Sequence, residues 1–349
     1  MMRTRSIEGV FLVVCDSQQI NSKKFHVKQN EHSNRNRKVG IMPILFYNDI
    51  KKANAEADAL RKLRSFLDKT EPQLVQWLHR LWHTQGRTIT YKELREAILR
   101  GALDKQIIED WQQDYSRFVV KYLKPMWVNA MEEAVVQLSE KYPLYYFDQS
   151  ADGVRDWLET KAATFVTNSS ATQIDAINAV VTKAAGLQDM TVDGLARAIR
   201  PMVGLTVQQA SANLKYYNAM VENGISEKKA LERSIKYSAR QHRQRGYTIA
   251  RTELAFAYNK GEHFGIKQAI DQGLMGHTKK VWCTADDERV CESVCAKLEG
   301  KTIELDEDFD FYTKLEATNP GIRQTPPAHP RCRCTVLYIE VEPPDYTGQ

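Results

Sequence analysis

The chain has 349 residues, of which 42% are hydrophobic and 27% are charged, and its formal net charge is +5. This length allows two or three domains with a substantial core, and the composition is ordinary for a globular protein. No apolar run approaches the ~18 residues that a membrane-spanning helix needs, so no membrane partner is expected.

The net charge comes from the first 41 residues. They contain eight Lys or Arg and three acidic residues, so the remaining chain has equal numbers of bases and acids. A neutral body is not typical of a protein whose main task is to bind nucleic acid, which is therefore expected only as a secondary partner. Residues 1–41 also lack helical periodicity. They are expected to be a disordered basic arm or the product of a mis-assigned start.

Residues 47–273 carry a helical pattern throughout. Pro72 follows Glu71 and is predicted to lie in the first turn of a helix, where proline is favoured. Between residues 115 and 138, apolar pairs recur every four positions, which predicts a long core helix that Pro125 can kink. This helical body is assigned to residues 42–190.

Two further helices are punctuated by capping signals. Thr206 and Gln209 have the spacing of a capping box, Asn223 and Gly224 form a stop signal, and Ser226 is a predicted N-cap. The helix after Ser226 has basic residues along one side, which either bind phosphate or an acidic partner or form a solvated face. These residues are Lys229, Arg233, Lys236, Arg240 and Arg243.

Beyond residue 273 the pattern changes from helices to strands. Residues 279–284, 301–305 and 335–341 are predicted strands, the last rich in β-branched and aromatic side chains. Four prolines make residues 316–331 a long loop. The predicted fold class is mainly α with a small C-terminal α+β domain. Residues 191–349 are assigned to one domain. In this domain residues 191–273 form helices and residues 274–349 form the small α+β unit.

Cysteines are concentrated near the C-terminus, where five of the six follow residue 282. Cys291 and Cys295 are four positions apart, and His329 and Cys332 are three apart beyond the proline-rich loop. Two close pairs joined by a stiff loop suit a tetrahedral zinc site, with Cys334 as an alternative fourth ligand.

Other roles for these cysteines remain open. They can be reduced, buried thiols that act as small hydrophobes, or they can form two disulfides. A Cys/His catalytic pair would require an orienting third group and an activated thiolate, which the sequence does not identify. Cys283 is expected to pack in a strand rather than to bind metal.

Residues from about 195 to the end resemble the phage head morphogenesis family, the minor head proteins similar to protein F of phage Mu. Five sequence elements occur in the family's order, and the last is the most specific. They are Ile249-Ala250-Arg251-Thr252-Glu253, Lys280-Val281-Trp282-Cys283-Thr284, Asp287-Glu288-Arg289-Val290-Cys291, Leu298-Glu299-Gly300-Lys301 and Pro326-Pro327-Ala328-His329-Pro330-Arg331-Cys332-Arg333-Cys334. The signature residues are thus Arg251, Glu253, Trp282, Asp287, Arg289 and Arg333.

The resemblance implies a non-enzymatic protein of phages and prophages that enters the virion in few copies. Its implied partners are the portal protein and capsid or scaffold proteins, and its implied role is head assembly or genome delivery. It would be found in the virion, and in the host cytoplasm during assembly. The alternative is a zinc-dependent enzyme, a nuclease or a transferase, which would need a carboxylate beside an open metal position. Asp286 and Asp287 are the nearest candidates.

Arg251 and Glu253 are two positions apart on a predicted helix, so they do not face each other and each needs another partner. We expect buried salt bridges that attach this helix to the C-terminal loop. The alternative is a binding or catalytic pair, because an Arg and a Glu also occur in sites of ADP-ribosyl transfer.

Overall fold

The computed structural model describes residues 42–186, 190–285, 287–314, 316 and 321–344, with side chains from residue 52 onward. Residues 1–48 and 49–349 form two units, and every contact given below lies within the second. The expectations for residues 1–41 fall outside the described residues.

Long helices dominate the described part of the chain. Their bounds are α1 Met42–Thr88, α2 Tyr91–Arg100, α3 Lys105–Phe118, α4 Lys124–Lys141, α5 Asp152–Ala185, α6 Val192–Ile199, α7 Val207–Glu222, α8 Glu227–Asp271 and the short α9 Cys295–Leu298. The strands are β1 Thr278–Cys283, β2 Thr302–Glu304 and β3 Thr335–Glu340. The predicted class, mainly α with a small C-terminal α+β part, is confirmed. None of the described helices is both long and apolar enough to cross a bilayer.

The helix start predicted at Pro72 is wrong, because Pro72 lies inside α1. Leu67 precedes the proline and Leu74 follows it, and both are buried in the same hydrophobic core. Burial of apolar side chains on both sides favours a continuous helix in spite of the backbone hydrogen bond that proline removes.

The apolar pairs of residues 115–138 span α3, a π-helical turn at Val119–Leu123, and α4. The N–H of Lys124 bonds the carbonyl of Val119, which inserts one extra residue directly before Pro125. A π turn lengthens the local repeat, so an apolar pattern with a period of four residues keeps facing the core on both sides of the turn. The predicted interruption at Pro125 is therefore present as a π-helical turn.

Helix α8 has 45 residues and packs most extensively against α4. The contact is close because Gly261 and Gly265 lie on α8 where a Cβ atom would overlap Met131 and Val135 of α4. The capping box of Thr206 and Gln209 at the start of α7 is confirmed.

The three strands form an antiparallel sheet in the order β2-β1-β3. Lys280 of β1 lies opposite Tyr338 of β3, and Trp282 lies opposite Val336. Trp282 and Val336 belong to a small core that also includes Cys295, Cys332 and Cys334. The predicted strands are thus confirmed, and the cysteine-rich segments pack against the sheet.

Candidate functional site

Cys295, His329 and Cys332 converge at the edge of the small core. Sγ of Cys295 lies 3.2 Å from Nε2 of His329 and 3.7 Å from Sγ of Cys332. All three ligand atoms lie within 4.8 Å of one another. Ligand atoms around a tetrahedral zinc ion are separated by about 3.3–3.8 Å, given the usual Zn–S and Zn–N bond lengths. The group could therefore hold a metal ion without large movement.

Of the two remaining candidate ligands, Cys334 is adjacent to this group. It is buried, and the neighbouring thiols of Cys295 and Cys332 raise its pKa. Cys291 lies outside the group of three, and its Sγ is 3.0 Å from Oγ of Ser293. Neither thiol belongs to the group of three, but burial in the same small core favours Cys334, the alternative fourth ligand, over the less buried Cys291.

A tight turn brings His329 and Cys332 to the same side. The N–H of Cys332 donates to the carbonyl of His329 at 3.1 Å, and Arg331 between them has a left-handed φ of 62°. The N–H of Arg331 donates to Oγ1 of Thr252 on α8 at 3.0 Å, which anchors the turn to the helical body. Nδ1 of His329 lies 3.0 Å from the carbonyl of Pro330, so Nε2 faces Cys295. Such a second contact fixes the orientation that a ligating imidazole needs.

The thiols and the imidazole perturb one another strongly. Hydrogen bonding to Cys295, Cys334 and His329 holds the pKa of Cys332 well below its ordinary value. The hydrogen bond to Cys295, together with contact with Cys332, raises the pKa of His329 to about 11. The thiol of Cys332 in turn raises the pKa of Cys295, and the thiols of Cys295 and Cys332 raise that of Cys334. A divalent cation bound here would take the place of protons on these groups.

The signature residues around this group contact other protein side chains and backbone groups and help to hold the fold together. Asp287 accepts two hydrogen bonds from the guanidinium of Arg333, one of them at 2.5 Å, and accepts from the N–H of Arg289 at 2.9 Å. The Arg333 hydrogen bond holds the pKa of Asp287 well below its usual range. Trp282 is fully buried, with its ring edge-on to Phe309 at 5.0 Å. The Asp287–Arg333 pair thus joins the segment before Cys291 to the one that carries Cys332 and Cys334.

The partners expected for Arg251 and Glu253 were wrong. Arg251 pairs with Glu71 of α1 through two contacts of 2.5 and 3.1 Å, and Glu253 pairs with Lys161 of α5 at 3.1 Å. Both signature residues therefore attach α8 to the helical body rather than to the C-terminal loop. No local pattern indicates these pairs, because their members are 180 and 92 positions apart.

The two remaining expectations concern Cys283 and the basic side of α8. Cys283 is buried in β1, in agreement with the expected packing role. Burial raises the pKa of its thiol to about 12. The five residues of the predicted basic side of α8 are all exposed, which fits either a solvated face or a docking surface. They are Lys229, Arg233, Lys236, Arg240 and Arg243.

Comparison with known proteins agrees with the resemblance seen in the sequence. Residues 213–337 match the family described as Phage Mu protein F like protein. Neither the curated proteins nor the solved structures gave a significant match. The matched range runs from within α7 into β3, so it includes Arg251, Glu253 and all candidate metal ligands. This segment of the chain is therefore similar to the family described as Phage Mu protein F like protein.

Proposed function

We propose that the chain is a phage minor head protein that enters the virion in few copies, associates with the portal and serves head assembly or genome delivery. The observation that carries this proposal is the family match over residues 213–337, which covers α8 and most of the C-terminal sheet. The long helical body, with its own hydrophobic core, offers surface for docking on portal or capsid proteins.

The proposed role of the cysteine group is structural. Zinc bound by Cys295, His329, Cys332 and Cys334 would have four protein ligands, which is typical of structural rather than catalytic sites. Such an ion would stabilise a small core in which three of the buried members are cysteines. A zinc-dependent nuclease or transferase would need an open ligand position and a nearby carboxylate. Asp287 is instead engaged by Arg333 and Arg289, which supports the structural role.

Two measurements test the assembly role. Mass spectrometry of purified virions should detect the chain at far fewer copies than the major capsid protein. Coexpression with the portal protein of the same phage should yield a complex that survives size-exclusion chromatography. Absence of the chain from virions, together with failure to bind the portal, would refute the proposal.

A further inference from the structure

A second site lies away from the cysteine group, in a cavity of about 320 Å³ between the start of α5, the middle of α8 and the loop that contains Gln324. Lys161, Trp157 and Lys260 line this cavity. Two of its lining residues are thus lysines that are almost fully buried, with exposed fractions of 3% for Lys161 and 2% for Lys260.

The charges of these two lysines are balanced differently. Lys161 pairs with Glu253 at 3.1 Å. Lys260 donates a hydrogen bond to Oε1 of Gln324, a neutral group, and forms no ion pair with any residue that the structure describes. A buried ammonium group is strongly unfavourable unless a counter-charge is present. Lys260 therefore lines the cavity without a carboxylate partner among the described residues.

A third lysine, which is not part of the cavity lining, acts on the charge of Lys260. Lys280 of β1 is fully buried, and its Nζ has no hydrogen-bond partner in the described part of the chain. Burial, together with the charge of Lys280, lowers the pKa of Lys260 to about 7, and burial lowers that of Lys280 to about 8. Asp308 acts on both amines in the opposite direction, and Asp306 and Glu307 also do so on Lys280, but no ion pair joins these acids to either amine in the described part of the chain. Lys260 and Lys280 are thus two buried amines without a directly paired carboxylate among the described residues.

The cavity also has an indole N–H and a helix N-terminus in its lining. The indole Nε1 of Trp157 is buried and has no acceptor among the described residues. Gly153 lines the cavity in the first turn of α5, whose N-terminus has no side-chain cap and contributes a partial positive charge. Asp156 is the one acidic side chain in the described lining, and it is exposed. Buried N–H groups that have no acceptor in the protein suit a ligand that only accepts hydrogen bonds.

We propose that this cavity binds a phosphate-class oxyanion, with Lys260 as the main cationic contact, the indole N–H of Trp157 as a donor, and Lys280 as a second charge. The oxyanion is either a free ion or the terminal phosphate of a nucleotide, since both offer the same group of acceptor oxygens. The ligand supplies the counter-charge that the described residues lack. This site is independent of the proposed assembly role.

Isothermal titration calorimetry on the full chain tests the site, with inorganic phosphate and dAMP as the two probes at constant ionic strength. We expect saturable binding of at least one probe to a single site. Lys260→Met should weaken binding at least tenfold. Trp157→Phe keeps an aromatic side chain but removes the indole N–H, so it should weaken binding by about tenfold. The matched control is Lys267→Met, which removes the same charge from a more exposed position of α8 and should leave the affinity unchanged.

The two probes separate the sources of the oxyanion. Tighter binding of inorganic phosphate indicates a free ion, and tighter binding of dAMP indicates a nucleotide. Absence of saturable binding for both probes would overturn the proposal, as would an unchanged affinity in Lys260→Met. If Lys260→Met does not fold, Trp157→Phe decides alone, and an affinity equal to that of the wild type would overturn the proposal.

Discussion

At the scale of single residues, the four candidate metal ligands can be separated from the other cysteines by their contacts. Cys295, His329 and Cys332 face one another, and Cys334 is buried in the same small core, whereas the thiol of Cys291 lies beside Ser293. Spacing along the sequence could not make this choice, because Cys291 and Cys334 are both close to a ligand in the chain. The tight turn at Arg331 places His329 and Cys332 on the same side of the chain.

The first prediction concerns metal content. Protein purified without chelator should contain about one zinc ion per chain, and Cys295→Ser and His329→Ala should both lose it because each removes a ligand of the same ion. Cys291→Ser is the matched control and should retain the metal. Elemental analysis measures the outcome. Wild-type protein with less than about 0.2 zinc per chain, and with all thiols free in denaturant, would contradict the site.

A second prediction concerns the buried pair of Lys161 and Glu253. Glu253→Gln should lower the free energy of unfolding by about 3–5 kcal/mol, because it removes the carboxylate that pairs with the buried Lys161 ammonium. The control is Glu159→Gln, which breaks the more exposed pair with Lys124 and should cost at most about 1 kcal/mol. Urea denaturation at 25 °C compares the two. Equal midpoints for the variants would show that the buried pair contributes no more than the exposed one.

The pH dependence of stability tests the environment of His242. Burial lowers its pKa to about 4, while Nε2 lies 2.8 Å from the carbonyl of Val203. Between pH 6.5 and 4 the unfolded chain binds a proton at this histidine that the folded chain does not, so stability falls as pH falls. The slope from one such group approaches about 1.4 kcal/mol per pH unit. His242→Gln should show a shallower decline in this range, measured by urea unfolding at several pH values. An identical decline would argue against a neutral, buried imidazole.

At the scale of elements, the sequence predicted what local chemistry determines. The capping box at Thr206 and the three strands have local signals, and these predictions are confirmed. The predicted helix start at Pro72 was wrong, because burial of apolar side chains on both sides of the proline outweighs the preference of proline for the first turn of a helix. The π turn before Pro125 and the pairing of Arg251 with Glu71 could not be predicted, since both depend on tertiary packing between distant parts of the chain.

The packing of α8 against α4 gives a prediction at this scale. Gly261→Ala should destabilise the fold by about 1–3 kcal/mol, because the new Cβ overlaps the backbone of Met131 and the helices must move apart. Gly153→Ala is the control, since its Cβ would meet only the ring of Phe264 at an ordinary 3.5 Å. Alanine also favours a helix over glycine, so this control should be stabilised by up to about 1 kcal/mol. Thermal unfolding of both variants distinguishes the effects, and a Gly261→Ala variant as stable as the wild type would exclude the close contact.

At the scale of the whole molecule, the charge distribution bears on which class of partner the body binds. Residues 42–349 are neutral, and the basic side of α8 is a local exception formed by exposed side chains. A neutral surface does not attract duplex DNA strongly, whereas a local basic patch can dock on an acidic protein surface. We therefore expect binding to the portal protein to depend on this patch and DNA binding to be weak.

Charge reversal tests this expectation. The double variant Arg233→Glu and Arg240→Glu should bind the portal oligomer at least tenfold more weakly, and its stability should be nearly unchanged because both side chains are exposed. The matched control reverses Lys215 and Lys297, which are exposed outside the patch. Surface plasmon resonance measures the portal complex, and a salt titration measures duplex DNA binding. Equal portal affinity in the two double variants would exclude the patch as the docking surface. A neutral body is not expected to neutralise many phosphates. Tight DNA binding with a slope of about six or more released ions would therefore contradict this expectation and make nucleic acid the main partner.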